Sequence, residues 1–305
     1  PVTAQVRGID ALNPFDIAIE EARRAGFTAC YTGPGSANVI GGTGISFKTK
    51  RGSTVFDIAI SGSEHMKFAL GENPKRVYGV EQKRAPMTRM GLAAILRRTL
   101  YEALDYSEEL RAGEADPEKR PKRNFALEEL VPVVRGQRKC RIHCHRADDI
   151  VTAIRIAEEF HLDFSIEHCT EGHLVAPWLA EKKVFAAVGP TLSSKPKIEL
   201  RNKSWDTPVT LWRAGVHFCI ITDHPFSPIE HQIVCASLAV KAGLPPDEAL
   251  RAVTLYAAEH LGLEKRMGSI EPGKDADLAV WDGDPLDART HVVKTFIDGA
   301  EVYSR

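Results

Sequence analysis

Apolar residues along the chain alternate between short continuous runs and longer segments with helical spacing. The runs RIHCH (141–145), DFSIEH (163–168), VFAAVG (184–189) and HFCIITD (217–223) predict four buried strands. The segments between and after them predict helices, over residues 149–160, 173–182, 208–214, 228–242 and 247–261. Strand–helix alternation favours a parallel sheet, and its repetition favours an α/β fold of the (β/α)8 barrel type over an open sheet.

The first third of the chain predicts a less regular arrangement. Its predicted elements are a helix over Phe15–Arg24, a strand at FTACYT (27–32), a hairpin around ISFKTKRGST (45–54), a buried strand at MKFAL (66–70), and helices over 87–111 and from Ala126 onward. The glycine-rich segment GPGSANVIGGTG (33–44) lacks the Gly-Lys-Ser/Thr of a P-loop and fits no dinucleotide fingerprint. We interpret it either as a pocket wall, where glycine lets a ligand approach the backbone, or as a plain connection.

The last segment of the chain changes character. GSIEPGKDADLAVWDGDP (268–285) and THVVKTFIDGAEVYS (290–304) predict short alternating strands separated by Gly and Pro turns. We therefore predict two domains, a barrel over residues 1–264 and a small β module over residues 265–305. Because a few strands alone are marginally stable, we expect the module to pair with strands from a missing N-terminal segment.

Composition narrows the classes of partner. The 305 residues carry a net charge of -1, so no overall field attracts nucleic acid or an anionic membrane surface. No apolar run approaches the roughly 20 residues that a membrane span needs. None of the six cysteines forms a CxxC pair, which favours a reduced, cytoplasmic protein. The expected partner is a small-molecule substrate.

Polar side chains that suit a metal ion stand at the ends of three predicted strands. His143 and His145 lie two residues apart, so their side chains point to the same side of a strand. His168 ends the next strand, and Asp223 and His224 end the last one. Histidine and aspartate are ligands for zinc and similar divalent ions, and a carboxylate beside such an ion can accept a proton from water.

A single histidine at the end of a strand is more often a structural group than a ligand. Here, however, several polar residues each end an otherwise apolar strand, at intervals of one or two strand–helix units. A charged aspartate in a packed strand is also costly unless it is paired or bound to a metal. Taken together, the positions favour a metal site.

Three motifs in this order resemble the amidohydrolase superfamily, near imidazolonepropionase and its relatives. RIHCHRADDI, DFSIEHCTEGH and IITDHP are similar to the ends of strands 5, 6 and 8 of that family's barrel. EEARRAGFTACYTGPG resembles its second strand–helix unit, and GSIEPGKDADLAVWDGDP resembles its return into a small β-sandwich. The resemblance covers nearly the whole chain and is most specific in the second half.

The resemblance implies roles for the strand-end residues. His143 and His168 would be the metal ligands of strands 5 and 6, and Asp223 would bind the metal and shuttle a proton. His145 would either support a ligand or face the substrate, where it would act catalytically by steadying the developing oxyanion. His224 either assists at the substrate or is structural.

A further ligand is expected from the preceding strand, where many members of the superfamily use a carboxylated lysine or a glutamate. Lys67 lies early in the predicted strand and Glu72 just past its end, so reach favours Glu72 as the ligand. Alternatively, Lys67 extends toward solvent and Glu72 caps a turn. Lys75 and Arg76 either hold a substrate carboxylate or form a solvated basic patch.

The chain departs from the superfamily at strand 1, which ends in a metal-binding His-x-His. No histidine precedes His65, so the predicted barrel lacks its first strand unit. Either the chain is a fragment or the pair has been lost, and the first explanation is favoured. The open sheet edge that results would invite pairing with another copy, as a homo-oligomer.

The resemblance implies a hydrolase that acts on carbon–nitrogen bonds other than peptide bonds. The predicted reaction is cleavage of an amide or cyclic amide by water activated at a divalent metal, with zinc expected and iron or manganese as alternatives. A metal-dependent deaminase of an amino-substituted ring is the second hypothesis. A metal-free pseudoenzyme or binding barrel is the third.

Overall fold

The structure, a computed structural model, describes residues 1–305 and contains a seven-stranded and a three-stranded sheet. The strands of the larger sheet are β1 (Ala29–Thr32), β2 (Ile40–Lys48), β3 (His65–Ala69), β4 (Cys140–Cys144), β5 (Phe164–His168), β6 (Ala186–Val188) and β7 (Phe218–Ile220). Those of the smaller sheet are β8 (Leu278–Trp281), β9 (Val292–Ile297) and β10 (Ala300–Ser304). The small C-terminal β structure predicted from the sequence is present.

Helices connect the strands and cover the larger sheet. They are α1 (Ile17–Arg24), α2 (Val55–Ile58), α3 (Glu72–Lys75), α4 (Arg89–Ala115), α5 (Phe125–Val134), α6 (Ala147–Glu159), α7 (Ala176–Glu181), α8 (Asp206–Ala214), α9 (Gln232–Lys241), α10 (Pro246–Ala252) and α11 (Leu255–Leu261). None of them is both long enough and apolar enough to cross a membrane.

The larger sheet keeps the order of the chain, from β1 at one edge to β7 at the other. From β3 to β7 all neighbours are parallel, and helices connect each strand to the next. This part confirms the predicted α/β class. The parallel arrangement does not extend to β1 and β2, which pair antiparallel with each other, while β2 also pairs antiparallel with β3. Residues 33–39 are too few for the crossover of about a dozen residues that parallel neighbours need.

The glycine-rich segment belongs partly to a strand. The predicted hairpin around residues 45–54 was wrong, because β2 runs through Lys48 and the turn lies at residues 33–39. Two positions inside β2 require glycine, because other groups approach the backbone too closely for a side chain to fit. A Cβ on Gly42 would lie 2.1 Å from the carbonyl oxygen of Val6, and one on Gly44 would lie 2.3 Å from the Tyr31 hydroxyl.

The parallel strands divide their side chains between two faces. Phe68, Ile142 and Ile166 are register partners on neighbouring strands, and they pack with the helices into one continuous apolar core. Alternate residues point the other way, so Lys67 pairs with Arg141, and His143 pairs with Glu167, across the inner face. The inner face of the sheet is therefore polar, and it carries the candidate chemistry.

A buried ion pair lies on this inner face below the strand ends. Arg141 donates two hydrogen bonds of 2.9 Å to the carboxylate of Glu167, and both side chains are almost fully buried. Nε2 of His260 lies 2.9 Å from the same carboxylate. The Arg141 guanidinium also stacks 3.9 Å from the ring centre of Tyr31. Desolvated charges are tolerated here because each has a partner.

Two histidines around this pair make the fold sensitive to acid. Burial lowers the pKa of His65 to about 3 and that of His260 to about 4, and Arg141 adds to both shifts. The unfolded chain binds these protons near pH 6.5, whereas the folded chain does not until much lower pH. The stabilisation is therefore complete above about pH 6.5 and is lost as the pH falls toward the folded pKa values.

We expect a change from pH 7.5 to pH 5 to lower the free energy of unfolding by about 2 kcal/mol for each of these two histidines. Urea unfolding at both pH values measures the loss. In His260→Gln the amide can still donate to Glu167, and the loss should shrink by about 2 kcal/mol. His231→Gln, at an exposed position, is the control. An unchanged pH sensitivity in His260→Gln would contradict the assignment.

A buried lysine joins the larger sheet to the C-terminal segment. Lys48 ends β2, and its ammonium lies 2.8 Å from Asp275, 2.6 Å from Asp277 and 3.3 Å from Asp298. Burial disfavours the charge of Lys48, but its hydrogen bonds to the carboxylates raise its pKa. The three carboxylates lie close enough together for a metal ion, but the ammonium already contacts all three. We interpret the cluster as an ion-pair network.

Lys48→Met is expected to loosen the C-terminal segment locally. Loss of charge-assisted hydrogen bonds costs about 2 kcal/mol, which corresponds to roughly 30-fold faster exchange of the β9 and β10 backbone amides. Hydrogen exchange read by mass spectrometry measures this change. Lys50→Met is the matched control, because its ion pair with Asp298 is partly exposed, far more than that of Lys48, and contributes little. Equal exchange rates in the two variants would refute the role of Lys48.

Candidate metal centre

Three buried histidines meet at the carboxyl ends of β4 and β5. One donor atom from each of His143, His145 and His168 lies within 4.8 Å of the other two. The ring centres of His143 and His168 are 4.3 Å apart, and each is 4.7 Å from that of His145. The structure thus brings together three of the residues that the sequence singles out.

The positions of the three histidines on their strands, and the local backbone conformation, place their rings close together. His143 lies on β4, and His145 follows two residues later on the same side. His168 ends β5, where it and Cys169 have positive φ angles of 70° and 45°. Asp223 also has a positive φ, of 51°. Non-glycine residues in this region are strained, and such strain is concentrated at functional sites.

Each ring leaves one nitrogen without a hydrogen bond. Nδ1 of His168 donates to the carbonyl of Gly189 at 2.7 Å, which leaves the Nε2 lone pair available. Nδ1 of His145 lies 2.8 Å from the Thr170 hydroxyl, which leaves its Nε2 without a hydrogen bond. Nε2 of His143 lies 3.3 Å from the Asn73 amide nitrogen, and its buried Nδ1 has no partner.

The electrostatic surroundings keep the three rings neutral. Burial lowers the pKa of each, and the neighbouring histidines lower those of His143 and His145 further. At His168 burial again lowers the pKa, while the Asp223 carboxylate opposes the shift. Neutral imidazole is the form that binds metal ions. Three neutral, buried nitrogen donors, one with no other partner, fit a divalent ion such as zinc.

Asp223 lies beside this cluster but not within it. It follows β7 by three residues, is half-buried, and acts on the charges of His168 and Lys67. Lys67, in the middle of β3, makes no ion pair, and burial lowers its pKa. Asp223 and Lys67 therefore border the histidine cluster at the β7 and β3 sides.

The structure does not bring Glu72 into the histidine cluster. Glu72 begins α3, and its backbone N–H donates to Glu199 at 2.9 Å. Arg76 pairs with Glu81 at 2.7 Å on the surface, so the basic-patch interpretation describes it better than substrate binding. His224 is exposed, and its Nδ1 accepts the backbone N–H of Ile229, which is a structural role.

Sequence reasoning missed four residues around the histidines. They are Asn73, Thr170, Lys197 and Glu199. Asn73 links the cluster to the glycine-rich segment, because its amide nitrogen lies 2.6 Å from the Ser36 hydroxyl and its amide oxygen accepts from Lys197. The interpretation of that segment as a pocket wall is consistent with this contact.

Comparison with known proteins decides the family. The model of the amidohydrolase family matches residues 129–302, which is more than half of the chain. The chain belongs to the amidohydrolase family. The matched residues include His143, His168 and Asp223, and the predicted resemblance is thereby confirmed.

Several relatives extend the comparison. An amidohydrolase of Thermotoga maritima MSB8 is 42% identical with a TM-score of 0.96, over 100% of this chain and 79% of that one. Amidohydrolase tasK of Hapsidospora irregularis is 30% identical over 98% of this chain and 32% of its own length. Imidazolonepropionase of Thermoplasma volcanium is 37% identical over 30% of this chain and 25% of its own length. The chain thus spans about a third or less of these two curated relatives.

Proposed function

We propose that the chain forms the metal centre of a hydrolase that cleaves the C–N bond of an amide or cyclic amide. The observation that carries the proposal is the convergence of three neutral, buried histidines at one edge of a parallel sheet, with Asp223 beside them. Membership of the amidohydrolase family supports the same reaction class. A shared fold does not identify the substrate, so we propose only the class of bond that is cleaved.

In this proposal His143 and His168 hold a divalent ion, zinc first and iron or manganese as alternatives, and Asp223 adds a carboxylate. His145 joins them, because its donor atom lies with the other two. A histidine whose Nε2 binds the ion cannot also donate from Nε2 to an oxyanion, so the geometry favours the ligand role for His145. Burial lowers the pKa of Lys67, and a less charged amine is compatible with a neighbouring cation.

A divalent ion at this place supplies positive charge that polarises the scissile carbonyl and lowers the pKa of water. Asp223 transfers the proton during the reaction. Its carboxylate accepts a proton from the attacking water as the C–O bond forms, and it delivers that proton to the leaving nitrogen as the C–N bond breaks. The half-buried position of Asp223 leaves it accessible to substrate on one side and to the histidines on the other.

The proposal is tested by assaying the full-length protein against N-acyl amino acids, lactams, cyclic imides and amino-substituted heterocycles. Hydrolysis that a chelator abolishes and zinc restores supports it. Release of ammonia with the ring left intact favours the deaminase hypothesis instead. Absence of bound metal together with absence of turnover would favour a binding barrel.

A further inference from the structure

One carboxylate oxygen beside the three histidines has no hydrogen-bond partner. Glu199 lies in the short turn Ile198–Leu200, and its side chain is fully buried. Its Oε1 makes no hydrogen bond. His145 Nε2 at 3.8 Å and Lys197 Nζ at 3.9 Å are close to it but beyond hydrogen-bond distance. A buried carboxylate oxygen is costly without a partner, so this arrangement favours a positively charged one.

The other oxygen of Glu199 is fixed in place. Oε2 accepts the backbone N–H of Glu72 at 2.9 Å. Gly71 lets the carboxylate approach, since a Cβ at this position would lie 3.0 Å from Oε2. Because Oε2 is anchored, Oε1 is held toward His145.

The connection that carries Glu199 is tied to the loops around the site. The Asn202 amide donates to Glu171 at 2.7 Å in the loop after β5, and the Ser227 hydroxyl donates to the Leu192 carbonyl at 2.5 Å from the loop after β7. Lys197 donates to Asn73 in the segment after β3. Glu199 is thus positioned by contacts with three of the loops that surround the histidines.

The charges around the three histidines favour a negatively charged side chain at the position of Glu199. Lys197 lies close enough to act on His143 and His145, and it adds positive charge beside the neutral rings. A divalent ion bound among them needs nearby negative charge, and Asp223 supplies only one. Coulomb attraction is strong where water is excluded, so a fully buried carboxylate contributes more than an exposed one.

We propose that Glu199 is a further cation-binding residue of the three-histidine centre, acting through Oε1 on the His145 side. This inference rests on the proposed metal centre. Two donors on one zinc ion at about 2.1 Å each can be up to about 4.2 Å apart, so the 3.8 Å between Glu199 Oε1 and His145 Nε2 allows both to reach the same ion.

The test is the affinity of the full-length protein for Zn²⁺ and Co²⁺, measured by competition with a chromophoric chelator. Glu199→Gln keeps the size of the side chain and an oxygen for the Glu72 N–H but removes the charge. We expect it to weaken metal binding about 10–100-fold, the range typical for groups that support a metal site. Glu199→Asp, which retains the charge on a shorter side chain, should lie between the two.

Glu109→Gln is the control. Glu109 is exposed on α4 and makes none of the contacts that position Glu199. The metal affinity of this variant should stay within about twofold of wild type. Wild-type affinity in Glu199→Gln, or an equal loss in Glu109→Gln, would overturn the inference.

The same measurement separates this inference from the proposed reaction. A wild-type protein that binds zinc but hydrolyses none of the amides would refute the reaction and leave the role of Glu199 standing. A wild-type protein that binds neither Zn²⁺ nor Co²⁺ would overturn both. Metal binding with turnover, but with no effect of Glu199→Gln on affinity, would overturn only the inference.

Discussion

If the proposed hydrolysis takes place, Asp223→Asn is expected to lower kcat by about 10²–10⁴-fold, the contribution typical of a positioned general acid–base. Asparagine has the size of aspartate but cannot accept a proton at neutral pH. It also tolerates the positive φ of 51° at this position, so the backbone should be retained. Steady-state kinetics on an amide hydrolysed by the wild-type protein, at saturating zinc, measures the loss.

Metal content then separates the two roles of Asp223. If the variant retains zinc but loses turnover, proton transfer is its main contribution. If it loses both, the carboxylate is needed first as a ligand. Asp247→Asn, at an exposed position on α10, is the control and should keep its rate. Hydrolysis at the wild-type rate in Asp223→Asn would refute the mechanism.

The strands that carry the histidines could be predicted because their signal is local. In RIHCH and DFSIEH, apolar residues stop at a histidine, and alternation along a strand places His143 and His145 on one side. Parallel neighbours in a sheet end at the same edge, so the meeting of His143 and His168 followed from the predicted class. No contact from distant residues was needed for this inference.

Elements that depend on distant contacts could not be predicted in the same way. Glycines in residues 40–44 indicated a loop, whereas packing against Val6 and Tyr31 makes them part of β2. The single helix predicted over 247–261 was wrong, because the chain leaves helical geometry at Thr254. The Thr254 hydroxyl bonds to the Leu250 carbonyl, a local alternative to the helix that competes with it.

Glu199 shows why part of the site could not be predicted from the sequence. It lies in KPKIEL, a polar stretch without periodicity, where a glutamate is ordinarily a solvated residue. Its burial depends on Gly71 and on the backbone of Glu72, which are more than a hundred residues away in the chain. The strand-end pattern favoured Glu72 because of its place in the sequence, whereas the fold brings Glu199 to His145 instead.

Arg141→Met is expected to lower the free energy of unfolding by about 3–5 kcal/mol, because it leaves the Glu167 carboxylate buried without its cation. Methionine fills much of the space of the arginine stem, so the lost charge, and not a cavity, dominates the effect. Glu167 would keep only the contact of 2.9 Å with His260 and a long hydrogen bond from Ser165. Urea unfolding at pH 7.5 measures the change.

The double variant Arg141→Met with Glu167→Gln distinguishes a buried ion pair from ordinary packing. Replacing both charges removes the desolvated carboxylate, while glutamine still accepts a hydrogen bond from His260. We expect the double variant to recover most of the loss, since neutral replacements of buried ion pairs are often tolerated. A double-mutant cycle gives the coupling energy. Additive losses in the two single variants would instead mean that the two side chains stabilise the fold independently, and the inner face would not depend on their pairing.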